Sequence, residues 1–257
     1  MGKKIQDIII FLNETTSTNR YLQDLSQVEK LMEGTSVLAL YQTAGRGHDR
    51  NRWESERGKN VLLSSIFYPD VLPVTKQFYL SEITSVSILQ ALKEETDSFD
   101  QKAASEFSIK WPNDIYWRDK KIAGILIENV IENNRIKQSI IGAGINVNQE
   151  KFVSDAPNPV SLKQIFGMDF NIHLIFTRII KNLHFNYIKF LKNELPDIHS
   201  FYMDNLYRKD GMHPYQTSDG EKFYASVKRI EPFGALVLET EDGGEKSFLF
   251  KEIEFLE

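Results

Sequence analysis

The chain has 257 residues, no cysteine and a formal net charge of −5. The missing thiols exclude a disulfide framework and cysteine chemistry, and the weakly acidic balance gives no general attraction for nucleic acid. A hydrophobic content of 41% and a charged content of 26% are ordinary for one large globular domain, or for one with a small appendage.

In chain order, the first apolar run is Ile8-Ile9-Ile10-Phe11-Leu12, after a basic start at Lys3-Lys4. A secretory signal would look similar, but the run is too short and Asn13-Glu14 ends it, so a buried strand is expected over 8–12. Compact apolar runs predict further strands over 37–41, 61–67, 107–111, 122–130 and 136–147. Ser17 or Thr18 can cap a helix carrying Tyr21, Leu22 and Leu25. The spacing of Tyr79, Ile83, Val86, Leu89 and Leu92 predicts a second helix. That of Ile172, Phe176, Ile179, Leu183, Tyr187 and Phe190 predicts a third, with Pro196 just beyond its end. Residues 154–159 read as a loop.

The pattern changes after about Arg208. Phe223, Ala225 and Val227 alternate, as do the runs Ala235-Leu236-Val237-Leu238 and Phe248-Leu249-Phe250, with Glu241-Asp242-Gly243-Gly244 as a turn. A small β-barrel is expected over 208–257, after a mixed sheet with flanking helices over 1–207. The fold class is α+β. No stretch is long enough to span a membrane, and with the absent cysteines this leads to the expectation of a cytoplasmic protein.

Two segments carry most of the chemistry. Gly45-Arg46-Gly47-His48-Asp49-Arg50-Asn51-Arg52-Trp53 places arginines on a glycine-flanked backbone. Glycine admits close approach of a ligand, and arginine grips carboxylates and phosphates with paired donors. Lys110-Trp111-Pro112-Asn113-Asp114 follows, a proline turn bracketed by opposite charges.

With Thr15-Thr16-Ser17-Thr18-Asn19, Lys121-Ile122-Ala123-Gly124-Ile125-Leu126-Ile127-Glu128 and Gly142-Ala143-Gly144-Ile145-Asn146-Val147-Asn148, these segments resemble the biotin–protein ligase family. The order and spacing of the blocks is specific where any single block would be weak. The resemblance implies a catalytic domain like that of class II aminoacyl-tRNA synthetases, followed by an SH3-like barrel. It also implies a two-step reaction. Biotin attacks the α-phosphate of ATP, with Mg2+, to give biotinyl-5′-AMP, and a lysine of an apo biotin carboxyl carrier protein then takes the biotinyl group. Members that repress transcription carry a winged helix ahead of this domain. The Ser-Thr-Asn block at 17–19 leaves no room for one, so a monofunctional form that binds no DNA is expected. A lipoate or octanoate ligase and a non-catalytic biotin-binding module remain alternatives, and the carrier and oligomeric state stay open.

Residue by residue, the resemblance makes Arg46 the bridge between carboxylate and α-phosphate, and Lys121 a second contact to both. Lys121 also sits in Arg118-Asp119-Lys120-Lys121, which reads equally as a solvated turn. Lys110 and Asp114 join them as catalytic candidates. Asn113 and Asp114 are to hold Mg2+ or phosphate-bound water, or to orient the incoming amine. Ser17, Thr18, Asn19 and Gln42 match partners of the ureido ring, although Ser17 and Thr18 also suit helix capping. Gly45, Gly47, Gly124, Ile125 and Gly142 are expected to wall the biotin site, with Trp53 stacking on the adenine and Asn146 contacting it. Many members have arginine where this chain has His48 and a basic residue at Asn51. Looser retention of the adenylate is therefore expected.

Overall fold

The computed structural model describes residues 8–48, 51–154 and 156–256; Asp49 and Arg50 of the arginine loop lie outside the described residues. Strands β1 (Ile9–Leu12), β2 (Ser36–Ala39), β3 (Val61–Phe67), β4 (Phe107–Lys110), β5 (Asp114–Trp117), β6 (Lys120–Glu132) and β7 (Arg135–Ile145) form a seven-stranded sheet in the order β1-β2-β3-β7-β6-β5-β4. β1 and β2 run parallel and the other pairs antiparallel, which makes the sheet mixed, as expected. The predicted strand 61–67 coincides with β3, and the other predicted strands end within two residues of observed ones. β5 has no predicted counterpart.

Alternation along the central strands separates two faces. Leu63 and Phe67 of β3, with Ile141, Ala143 and Ile145 of β7, join the main core. Ile66 and Ile140 point the other way, into a smaller core with Leu22 and Val37. Helix α1 (Thr18–Val28) lies over that second face, against β3 and β7. Helices α2 (Phe78–Thr96) and α5 (Ile172–Leu191) pack together over the first, and the short helices α3 (Gln101–Ser105) and α4 (Leu162–Phe166) fill connections. α2 is buried on nearly all sides. It tolerates Thr84, Ser87 and Thr96 because each hydroxyl donates to the carbonyl four residues back.

Pro196 does not simply follow the third predicted helix: it opens another, α6 (Leu195–Asp204), where its missing N–H costs nothing. Residues 205–207 then run beside β4, with the Ile109 amide donating to Asn205 and the Tyr207 amide to Ile109. The chain continues into β8 (His213–Thr217), β9 (Lys222–Ile230), β10 (Leu236–Thr240), β11 (Glu245–Phe248) and β12 (Ile253–Phe255). These form an antiparallel five-stranded sheet in the order β11-β10-β9-β8-β12.

The α2–α6 contact carries a pH-dependent bond. His199 Nδ1 of α6 lies 2.8 Å from the buried Glu82 carboxylate of α2. That hydrogen bond raises the imidazole pKa above its ordinary value, against partial burial that lowers it. A raised folded-state pKa stabilises fully below the unfolded value near 6.5 and ceases to do so as pH rises through the folded value. Because His199 is well exposed, the effect is discounted to ~0.5 kcal/mol, or about 1–2 °C. The melting-temperature gap between wild type and His199→Gln should therefore be largest in mild acid and shrink as pH rises past neutrality. A gap independent of pH would show that the pair contributes only packing.

Candidate active site

The central strands form a floor with little side chain. β3, β7 and β6 lie side by side, with Ser64 opposite Gly142, and Gly124 opposite Gly144. A Cβ on Gly142 would sit 2.1 Å from Asn19 Oδ1, and one on Gly144 would sit 2.2 Å from Trp53 Cε2. Neither clash can be relieved by a small shift, so these positions are bare because α1 and the arginine loop press onto the sheet there. Above the floor is a cleft of about 1210 Å³. It is bordered by every sequence-predicted site residue except Gly45.

One side of the cleft is a buried polar network. Gln42 Oε1 accepts from the Thr18 amide at 2.8 Å and from its hydroxyl at 3.1 Å. Ser64 Oγ lies 2.7 Å from Thr18 Oγ1 and 2.5 Å from Asn19 Oδ1. Asn19 Nδ2 donates to Glu128 Oε2 at 2.8 Å and to the Leu126 carbonyl. Ser17 is the N-cap of α1, yet its hydroxyl makes no capping bond. The capping explanation for that hydroxyl is therefore not observed. Ser64 and Glu128 were not singled out from the sequence. Their signal is a polar side chain ending an apolar run, Val61-Leu62-Leu63 before Ser64 and Ile125-Leu126-Ile127 before Glu128.

The two described arms of the arginine loop, 45–48 and 51–53, pair with each other. The Trp53 amide donates to the Gly45 carbonyl, the Gly47 amide to Asn51, and Arg46 bridges to Arg52. A Cβ on Gly45 would lie 2.6 Å from the Trp53 carbonyl. Gly45 thus admits the loop's own return strand, where the sequence suggested a ligand. Trp53 lies on the Gly124–Gly144 floor with its buried indole N–H unpartnered, and Asn146, which lines the same cleft, has a buried amide oxygen with no hydrogen-bond partner. The indole N–H faces the floor, so what Trp53 offers the cleft is a flat aromatic ring, which suits a planar heterocycle. His48, where the resemblance has a permanent cation, sets its ring edge-on to Phe250 at 4.8 Å and so ties the loop to the turn between β11 and β12.

Two cations stand opposite that loop. Lys121 Nζ pairs with Asp114 at 2.7 Å, each side chain about one quarter exposed. The Lys121 backbone is held by the loop at 158–160, so it is not a free turn. Asn113 spends its amide on the Ile125 carbonyl at 2.7 Å, and the Ile125 amide returns a bond to Asn113. Lys110 is enclosed by aromatic faces: its amine lies 4.7 Å from the Tyr116 ring, 5.1 Å from Phe255 and 5.7 Å from Tyr207, and donates to the Tyr116 hydroxyl. Burial lowers its pKa, Asp114 opposes that, and Arg208 and Lys121 add to it. This cage draws on both sheets and was not foreseen from the sequence.

The chain is similar over most of its length to proteins of one kind. It is 31% identical to the bifunctional ligase/repressor BirA of Bacillus subtilis over 245 residues, 93% of this chain and 72% of that protein. It is 27% identical to the biotin–[acetyl-CoA-carboxylase] ligase of Mycobacterium tuberculosis over 191 residues, 74% of this chain and 67% of that one. The fold matches the biotin protein ligase from Aquifex aeolicus in complex with biotin and ATP with a TM-score of 0.78 at 24% identity, covering 97% and 98% of the two chains. The model of the biotin/lipoate A/B protein ligase family matches residues 11–146. With the glycine floor, the arginine loop and the paired cations meeting in one cleft, this chain belongs to the biotin/lipoate A/B protein ligase family.

Proposed function

We propose that the chain attaches biotin to a lysine of a biotin carboxyl carrier protein in an ATP-dependent, AMP-forming reaction through biotinyl-5′-AMP. The observation that carries this is the convergence of Arg46 and Lys121 on one cleft, between a polar network at Gln42, Thr18 and Asn19 and the unpartnered Trp53 and Asn146. The network faces the ureido ring, and Trp53 and Asn146 face the adenine. In the first step a carboxylate oxygen of biotin bonds to the α-phosphorus and pyrophosphate leaves. Arg46 and Lys121 offset the repulsion between these two anions, so positioning and fixed charge supply most of the rate. In the second step the carrier lysine's amine bonds to the acyl carbon and AMP leaves, with Asp114 orienting the amine.

Among the described residues no group of three or more His, Cys, Asp or Glu side chains is placed to hold a metal. Mg2+ would travel on the ATP phosphates, within reach of Asp114, and spread the charge of the departing pyrophosphate. Lys110, partly enclosed by aromatic rings and open to the cleft, adds a further cation beside Asp114 and Tyr116. The division at 207/208 into a catalytic domain and an SH3-like domain belongs to the same proposal.

The test is incubation with ATP, Mg2+, biotin and an apo carrier domain, followed by mass measurement, with lipoate in a parallel arm. A biotinyl mass gain that depends on ATP is expected. Lipoate transfer in its place would reassign the substrate. The same reading predicts a role for Phe250, the seat of His48. Phe250→Ala should speed the escape of preformed biotinyl-5′-AMP by about 2–10-fold, the worth of one aromatic contact. An unchanged dissociation rate would detach the C-terminal sheet from intermediate retention.

A further inference from the structure

Glu128 lies at the end of the Lys121–Glu128 block, and a single oxygen of its carboxylate serves two groups. Oε2 accepts from Asn19 Nδ2 at 2.8 Å and pairs with Arg46 NH2 at 2.7 Å. Asn19 is itself fixed by Ser64 and the Leu126 carbonyl, in the space left by the missing Cβ of Gly142. The carboxylate is therefore anchored to the sheet floor and reaches out to the loop arginine. It puts an anion on the guanidinium where the site expects to receive one. Arg46 and Glu128 are both about one third to two fifths exposed, so an incoming anion can reach the pair.

We propose that Glu128 is a positioning residue that holds Arg46 over the cleft between turnovers and is displaced from it by the substrate's carboxylate. This rests on the reading of the cleft as a biotin site. Its physical content is linkage: a ligand anion that must displace a resident carboxylate binds more weakly than it would to a free arginine, while an uncharged ligand is unaffected. Glu128→Gln isolates that effect, because the amide oxygen still accepts from Asn19 while the ionic hold on Arg46 is lost.

The experiment compares equilibrium binding of biotin with that of biotinamide, which lacks the charge, to the wild-type, Glu128→Gln and Arg46→Ala proteins. Glu128→Gln should raise the preference for biotin over biotinamide ~3–5-fold, the scale of a part-exposed ion pair, since any effect passed through Asn19 to the ring pocket is common to both ligands. Its KM for biotin in pyrophosphate release should fall while kcat does not rise. Arg46→Ala should lose the wild-type preference for biotin over biotinamide. Equal shifts for both ligands, a weaker preference for biotin or no shift at all in Glu128→Gln would overturn the assignment and leave the biotin site standing. Wild-type protein that binds neither ligand would overturn both.

Discussion

Lys121→Ala should abolish adenylate formation in a folded protein. In the proposed reaction two anions meet in the cleft, and Lys121 and Arg46 supply the positive charge for that meeting. Removing a single preorganised charge contact of this kind costs ~3 kcal/mol or more in the transition state, which is at least about a hundredfold in rate. Its partner Asp114 would be left at a quarter-exposed position, where water can take the place of the lysine, so the melting temperature should fall by only a few degrees. Biotin binding measured without ATP should persist, because the polar network around Thr18 and Asn19 does not include Lys121. Pyrophosphate release after mixing with ATP and biotin is the measurement. Near-normal release from a folded mutant would remove Lys121 from the chemistry. Asp114→Asn provides an internal comparison: if Asp114 mainly holds Lys121 in place, its loss should slow the first step less than Lys121→Ala does.

Much of this site was legible along the chain because the residues that line the cleft come in short blocks with fixed spacing. Lys121, Gly124 and Ile125 sit on one strand, Gly142 and Asn146 on or just past the next, and Arg46 and Trp53 in one loop. What escaped was set by register and by the meeting of distant segments. Ser64 reaches Thr18 and Asn19 only because β3 pairs with β7 at Gly142. The Lys110 cage takes rings from β5, from the segment after α6 and from β12, three places that no local pattern connects. Among the elements, β5 was hidden because four residues after a proline turn carry little periodicity, and it follows a segment that reads as a turn on its own. β8 and β12 were missed for the same reason, at five and three residues. Helix α6 is concealed by Pro196, which reads as a stop after α5 but sits in the first turn of the next helix.

A chain ending at Arg208 should fail to yield a stable folded protein. In the sequence the tail reads as a separate small β-barrel over 208–257. The fold gives a stronger expectation, because the C-terminal sheet shares the main core. Tyr215, Ala225, Ile230, Leu236, Leu238, Phe248 and Ile253 belong to the same buried cluster as Trp111, Ile109 and Phe78. The buried Trp111 indole N–H donates to the Gly234 carbonyl at 2.9 Å, and the turn at Gly234 presses against the Phe78 ring. Arg208 itself donates to the Leu256 carbonyl. Truncation would strand the indole donor and uncover several large side chains at once. Losing the packing of one such aromatic costs ~3–5 kcal/mol, and a whole domain has only ~5–15 kcal/mol to lose. The expected result is aggregation or a chain without a cooperative melt, and no measurable biotin binding by the little that stays in solution. Phe250→Ala in the full chain is the control, since it touches the arginine loop without opening the core, and it should melt within a few degrees of the wild type. A soluble truncated protein with a sharp thermal transition and wild-type affinity for biotin would show that the first 208 residues fold alone, and that the shared core is a docking surface between two independent units.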